Sequence, residues 1–448
     1  MAEAVSFYPT KKLFIDVLTR DISIRDCIFD LLDNSADSYT RNKVTDTRQV
    51  QISFNADSFS IKDNCGGISK GELLNEVFRL GVVDTEARAK TVGIYGIGLK
   101  RSIFKIGRDI VLETDDGNNY CKLVIDDDWI KDENNWTIPL KETSTSRLNG
   151  NKPYTYINIT KIRDEAKDLF VAPFFDSNLK KNASIYYSWF INEREIDFII
   201  NEEKISGYEI TVKASDDYKP VKYQENFEDV EIEIICWLDV SDIEEKRKRR
   251  EKVENGWNVF MNKRLIVLGD TSELSGWTGE RQYLPQYHPI FNQFRGIVLL
   301  STEEPYKLPV NTLKNNFNPE SRIYQHLLTK MCEVARPFVN YLSDKYERSK
   351  KRMDNTEATV TKDIKEDTDE QQSKHLKEST LADAEYVEEF IPPVIVEKPK
   401  IVETTIQYRK PKERVELVKK ILDVGSNWEV GSETFEYFWD GEGLSDIK

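Results

Sequence analysis

Three short stretches within the first hundred residues constrain this chain more than anything else in it. They are Asp30-Leu-Leu-Asp-Asn34-Ser-Ala-Asp37, Asp63-Asn-Cys-Gly-Gly67 and Gly93-Ile-Tyr-Gly96-Ile-Gly98-Leu-Lys100. The first lies within helical periodicity over 22–39. At about 100° per residue, Ile24, Cys27, Ile28, Leu31 and Ser35 share one stripe, and Asp30, Asn34 and Asp37 a second, roughly a third of a turn away. Such a polar row beside a buried face points into a cleft, although the spacing alone also describes a solvated flank. The second stretch ends an apolar strand, and its glycine pair lets backbone approach a ligand closely. A carboxylate there accepts a hydrogen bond from an exocyclic amine such as that of adenine; in isolation the same residues read as an ordinary Asx turn. The third stretch opens a helix, where unshielded N–H groups and the positive helix end suit a polyphosphate. Lys100 and Arg101 add charge one turn inward. The glycines lack the strand–loop–helix setting of a dinucleotide fingerprint, and no GxxxxGKS/T loop occurs.

Around these stretches the chain reads as α/β. Strands are predicted at 50–54, 59–63 and near 109–114, 119–125 and 154–159. Ser69-Lys-Gly-Glu72 is a capping box opening a helix that Gly81 stops, and a second helix starts at the glycine loop and ends before Gly107. Residues 161–350 form a second α/β domain, with strands at 195–201 and 230–238, a hairpin about Asn262-Lys263 and a helix from about 320 toward 350. Residues 351–385 read as a charged flexible linker, and 386–448 as a small module or docking peptide rich in late aromatics.

Composition removes several function classes. The 448 residues, 39% apolar, suffice for two cored domains, and a net charge of −15 argues against a whole-chain grip on nucleic acid. The one dense basic run, Lys246-Arg-Lys-Arg-Arg250, follows Glu244-Glu245 and reads as a solvated helical face. Five scattered cysteines without a CxxC pair, and three histidines, exclude a disulfide framework, a zinc site and a histidine-rich metal centre. No apolar run approaches the roughly 18–20 residues of a membrane span, and Met1-Ala-Glu-Ala-Val-Ser6 carries no secretory pattern. The expectation is a cytoplasmic protein.

Taken together, the three stretches resemble the GHKL ATPase superfamily, which holds DNA gyrase B, the ninety-kilodalton heat-shock chaperone, sensor histidine kinases, MutL and the MORC proteins. The resemblance covers about 1–160 and implies a Bergerat-type two-layer α/β sandwich that binds ATP with Mg2+ beneath a mobile lid over roughly 68–98. Asn34 resembles the magnesium-coordinating amide and Asp37 the polar partner further along its helix. Asp63 resembles the adenine-binding acid, Gly67 the second glycine of its turn, and Gly93, Gly96 and Gly98, with Lys100 beside them, the phosphate loop. Thr155, in Pro153-Tyr-Thr155-Tyr-Ile-Asn-Ile159, resembles the strand threonine behind the adenine. Asp30 falls where hydrolysing members keep a glutamate that activates water. Lys314, in Pro309-Val-Asn-Thr-Leu-Lys314-Asn-Asn-Phe317, is the candidate for the lysine that a transducer domain extends to the γ-phosphate. The segment 256–266 and the loop that follows are similar to MORC-type proteins.

Two departures stand out. Aspartate at 30 sets its carboxylate back by ~1.5 Å, one carbon–carbon bond, relative to glutamate, so slow hydrolysis is expected. Cys65 replaces the first glycine of the acidic turn. The resemblance implies an ATP-gated, dimerising clamp or switch, in a setting such as genome maintenance or defence against foreign DNA. The alternative is a nucleotide-gated scaffold with little turnover that presents its C-terminal segment to a protein partner.

Overall fold

The computed structural model describes residues 10–79, 81, 90–94, 96–133, 135–240, 255–354, 376–392, 406–407 and 409–442. The basic run at 246–250, the centre of the expected lid and residues 355–375 of the expected linker lie outside these. The chain divides into two compact units, Met1–Pro393 and Val394–Lys448.

The first unit begins with α1 (Lys11–Arg20) and α2 (Ile24–Arg41). Ser23 starts α2 by accepting the Asp26 N–H at 3.1 Å, a cap worth about 1 kcal/mol. There follow β1 (Arg48–Phe54), β2 (Ser58–Asp63), α3 (Lys70–Asn75), α4 (Gly98–Ile106), β3 (Gly107–Asp115), β4 (Asn119–Ile125), α5 (Asp127–Lys131), β5 (Leu140–Thr145) and β6 (Tyr154–Ile162). Then come α6 (Asp164–Phe170), α7 (Phe175–Tyr186), α8 (Ser188–Asn192), β7 (Ile196–Ile200) and β8 (Glu203–Lys204).

These strands form a sheet in the order β5-β4-β3-β6-β2-β1-β7-β8. Its neighbours are antiparallel except β1 and β7, which run parallel. In β1 the alternation of Val50, Ile52 and Phe54 turns one face inward, where Cys27, Ile28, Leu31 and Leu32 of α2 and Ile103 and Phe104 of α4 join the same core. Each such side chain, fully buried, contributes roughly 1.5–3 kcal/mol. The two-layer sandwich expected of the first domain is thus present. Two local expectations need correction. The Ser69/Glu72 capping box forms, but α3 ends at Asn75, and Gly81, at φ 81°, lies beyond it. The strand read at 195–201 as part of the second domain is β7, which joins the first sheet beside β1 because its apolar face, Ile196, Phe198 and Ile200, belongs to the first core.

A second α/β domain lies in the same unit. It comprises β9 (Val212–Ala214), β10 (Val221–Phe227), β11 (Val230–Leu238), β12 (Gly256–Met261), β13 (Arg264–Asp270), β14 (Phe294–Ser301) and the long α9 (Arg322–Asp354). The sheet order is β10-β11-β14-β12-β13, with β12 and β14 parallel. Asn262 and Lys263, at φ 45° and 71°, form the tight turn between β12 and β13, a left-handed pair that asparagine tolerates well.

Part of the stretch read as linker is structured. Strand β15 (Lys377–Ser379) pairs with β9, Val387 bridges to Val221, and Phe390 stacks on Phe338 of α9 at 4.1 Å. The charged composition of the surrounding window hides the few apolar residues that anchor this strap. The second unit contains α10 (Lys412–Leu422) and α11 (Asn427–Gly441), the latter opened by a capping box between Ser426 and Glu429. Trp428, Tyr437 and Phe438 are exposed there.

Candidate functional site

The site is built on α2. From Cys27 to Tyr39 every residue of this helix is buried except Asn34. A helix enclosed on all sides must satisfy each polar group it carries, and α2 carries Asp30, Asp33 and Asp37. Beside it a cavity of about 190 Å3 is lined by Asp30, Asn34, Asp37 and Asp63, by Gly93, Gly96, Gly98 and Lys100, and by Thr155 and Lys314. Ten of the eleven residues singled out in the sequence therefore meet at one cavity; Gly67 does not line it.

At one end lies the acidic turn. Asp63 accepts the Ser35 hydroxyl at 3.1 Å and the Cys65 N–H at 2.9 Å. Burial pushes its carboxyl up to about 6, against these hydrogen bonds and the charge of Arg41. Thr155 faces it directly across the β2–β6 pair. Cys65 is fully buried, and its carbonyl accepts from Ser38 of α2 and from Asn42, the residue that caps that helix. The cysteine thus ties the turn to the helix, while Gly66 and Gly67 take the left-handed conformations, at φ 140° and 71°. A Cβ on Gly67 would stand 2.5 Å from the Asp115 carbonyl oxygen. Gly67 therefore seats the turn against β3 rather than touching the cavity.

The glycine loop occupies the other end. Asp37 accepts the N–H groups of Val92 at 2.7 Å and Gly93 at 2.8 Å, so it holds the start of the loop. Burial raises its carboxyl above the ordinary range, outweighing Lys314 and these bonds. A Cβ on Gly93 would stand 2.8 Å from the Asp37 carboxylate, and one on Gly98 3.2 Å from that of Asp30. The glycines thus allow loop backbone to lie against the acids of α2. Lys100 donates to the Gly96 carbonyl. Helix α4 has no side-chain cap, and its N-terminus, with the positive end of the helix dipole, faces the cavity that Gly98 lines.

The third wall comes from the second domain. Lys314 Nζ lies 2.8 Å from Asp33 Oδ2 and 3.4 Å from Asp30 Oδ1, and Arg264 Nε lies 2.6 Å from Asp33 Oδ1. The Tyr187 hydroxyl donates to Asp33 at 2.7 Å, and Arg264 Nη1 donates to the Lys314 carbonyl at 2.7 Å. Burial alone would raise the Asp33 carboxyl; Arg264 and Lys314 outweigh it and hold it below the ordinary range. Arg101 donates to Asp30 Oδ2 through Nε at 2.8 Å, with Nη2 2.7 Å from the same oxygen and 3.2 Å from the Thr312 carbonyl. Asn262 donates to the Thr91 carbonyl at 2.7 Å and accepts the Thr302 N–H at 3.0 Å.

Sequence reasoning left Asp33, Arg264, Arg101 and Asn262 without roles. A signal existed for the first two: Asp33 sits within the helix motif, and Arg264 begins a strand that is otherwise apolar. The charge of Arg101 was noted, but its partner was not foreseeable, and Asn262 was read only as a turn residue.

A mostly antiparallel sheet with an acid–amide helix on one face, an acidic turn at a strand end and a glycine-rich helix start defines an ATP-binding α/β sandwich of the GHKL type. Residues 22–155 match the family described as histidine kinase-, DNA gyrase B- and HSP90-like ATPases, and the chain accordingly carries a GHKL-superfamily ATP-binding domain, followed by a second α/β domain. No curated protein matches the chain. No described helix is long and apolar enough to cross a membrane.

Proposed function

We propose that the chain hydrolyses ATP slowly and uses the nucleotide to close a cytoplasmic, MORC-like, dimerising clamp. The observation that carries this reading is Lys314: a second-domain side chain stands among the carboxylates of the helix that lines the cavity. A cation so placed reports an arriving phosphate to the domain that carries it.

Adenine would lie against Asp63 and Thr155, with its amine donating to the carboxylate, and the phosphates at Gly93, Gly96, Gly98 and the N-terminal end of α4. Magnesium fits Asn34, whose amide faces the cavity without a hydrogen bond among the described residues. Mg2+ favours one or two protein oxygens plus phosphates and water, and no described cluster of acids, histidines or cysteines competes for it. When bound, the ion neutralises phosphate charge.

Asp30 would take the proton of a water that attacks the γ-phosphorus as the bond to the bridging oxygen breaks, giving ADP and phosphate. Lys314 and the loop amides offset the developing charge. Calorimetric titration with ATP, phosphate release and light scattering with a non-hydrolysable analogue test the three parts separately. Failure to bind ATP would sink the whole reading.

One observation favours the alternative, a scaffold that binds ATP with little turnover and shows its C-terminal segment to a protein partner. Asp30 Oδ2 accepts the Arg101 fork, so the carboxylate offered as base is engaged by a cation. ATP-dependent dimerisation with negligible turnover, unchanged in Asp30→Asn, would decide for the scaffold. DNA as the clamped object has no support from the net charge of −15; salt-sensitive binding of duplex DNA would be needed to establish it.

A further inference from the structure

Two carboxylates of α2, Asp30 and Asp33, are paired with cations, while Asp37 is held by backbone N–H groups. Asp30, Asp33 and Asp37 are buried together with Arg101, Arg264 and Lys314. A terminal phosphate entering this cluster adds negative charge that must be met by re-pairing, because unpaired buried charge is costly. Arg264 is a poor candidate to move. It lies between Asp33, the Lys314 carbonyl and the rings of Tyr186 and Tyr187, and it does not line the cavity. Arg101 and Lys314 do line it.

Arg101 differs from Lys314 in what it holds. Its Nε and Nη2 both reach Asp30 Oδ2, and together they fill the two acceptor sites of that oxygen. Its Nη1 has no hydrogen-bond partner among the described residues. Nη2 also reaches the Thr312 carbonyl, two residues from Lys314 on the same loop. One guanidinium therefore joins the candidate base, the first helical turn behind the glycine loop and the loop that brings in the second domain. The Gly98 backbone packs against the same carboxylate, which places Asp30 and its arginine next to the anion-binding helix end.

We propose that Arg101 is a second γ-phosphate ligand, one that exchanges Asp30 for the phosphate. This deepens the ATPase reading above and rests on it. The fork engages Asp30 Oδ2. When a γ-phosphate arrives, the guanidinium turns to its oxygens, for which a planar fork is well suited. Asp30 Oδ2 then becomes available to a water proton, and the Thr312 carbonyl loses its donor. The base is freed only when its substrate is present, and ADP, lacking the γ-phosphate, leaves the pair closed.

The test compares ATP and ADP affinities by calorimetry, alongside turnover, in wild type, Arg101→Gln and Arg101→Lys. Arg101→Gln is expected to weaken ATP about tenfold or more, leave ADP within about twofold, and lower kcat about tenfold. Arg101→Lys, which keeps charge but loses the fork, is expected to fall between, with ATP discrimination partly restored. Equal losses for ATP and ADP, or no loss for either, would overturn the proposal. If Arg101→Gln fails to fold, the lysine variant decides alone: wild-type discrimination in it rejects the arginine's role. Wild type that binds no ATP removes the underlying pocket reading as well. Wild type that binds ATP but never turns over removes only the exchange.

Discussion

Lys314 Nζ sits 2.8 Å from Asp33 Oδ2, and this contact ties a loop of the second domain to the enclosed helix of the first. The two partners are not equivalent. Without Lys314, Asp33 still has Arg264 and Tyr187; without the Asp33 charge, two buried cations lose their principal anion. Asp33→Asn should therefore cost about 3–5 kcal/mol of stability, the usual result of breaking a buried pair from one side. Lys314→Met should cost clearly less, yet lower turnover while ATP still binds. Urea unfolding read beside phosphate release separates the two effects; equal destabilisation by both variants would refute the asymmetry.

The same carboxylate has a pH consequence. Its folded-state value is lowered from 3.8, so the stability it supplies is present above about pH 4 and is lost as pH falls toward the folded value. Wild type should lose stability through this acid range more steeply than Asp33→Asn, in which the group no longer titrates. Thermal melts between pH 2 and pH 5 would show it, and parallel curves would count against Asp33 as a source of acid sensitivity.

Asp63 works in the opposite direction. Burial lifts its carboxyl to about 6, so below that pH it is largely protonated and a weaker acceptor for an adenine amine. Nucleotide affinity should be constant above about pH 7 and fall by up to tenfold per unit below pH 6. Asp63→Asn should lose ATP binding without losing stability, because it removes a buried charge, keeps its oxygen for the Cys65 N–H and turns its NH2 to the Ser35 hydroxyl, which can accept. Titration of affinity against pH in both proteins checks this. Intact ATP affinity in Asp63→Asn would remove the residue from the site.

How much of this was readable beforehand depends on where each signal resides. The helix row, the acidic turn and the glycine loop are local patterns; each alone has an ordinary structural reading, and only their combination and the resemblance it carries put Asp30, Asn34, Asp37, Asp63 and the loop glycines in one pocket. Lys314 was reached only through resemblance, since nothing in a polar loop says which helix it meets. Arg101 and Asn262 were beyond reach, because their roles consist of contacts with Asp30, Thr312, Thr91 and Thr302 across 40 or more residues. The strap at 376–392 was missed for a compositional reason, a few apolar anchors averaged into a charged window.

Asn262 gives a prediction of its own. Its amide reaches the Thr91 carbonyl from the second domain while Asp37 holds Val92 and Gly93 from α2. The foot of the glycine loop is thus gripped from both domains. Asn262→Ala would leave the buried Thr91 and Thr302 groups unsatisfied, costing roughly 1–3 kcal/mol. Hydrogen exchange at Val92 and Gly93 should quicken with it, and ATP should protect those amides less. Unchanged exchange would mean that Asp37 alone secures the loop.

Gly67 separates backbone strain from collision. It and Gly150 both have positive φ, 71° and 89°, so alanine at either carries the left-handed penalty of about 1 kcal/mol. Only at Gly67 does the added methyl also meet backbone, with the Asp115 carbonyl oxygen at 2.5 Å; at Gly150 nothing lies within 4 Å. Gly67→Ala must therefore move the acidic turn away from β3, carrying Cys65 and the Asp63 carboxylate with it. It should cost about 2 kcal/mol more than Gly150→Ala, the middle of what overpacking a filled site costs. ATP affinity should fall in Gly67→Ala and stay unchanged in Gly150→Ala. Denaturation midpoints and calorimetry on the pair test both statements, and equal stabilities would show that β3 yields to the methyl group.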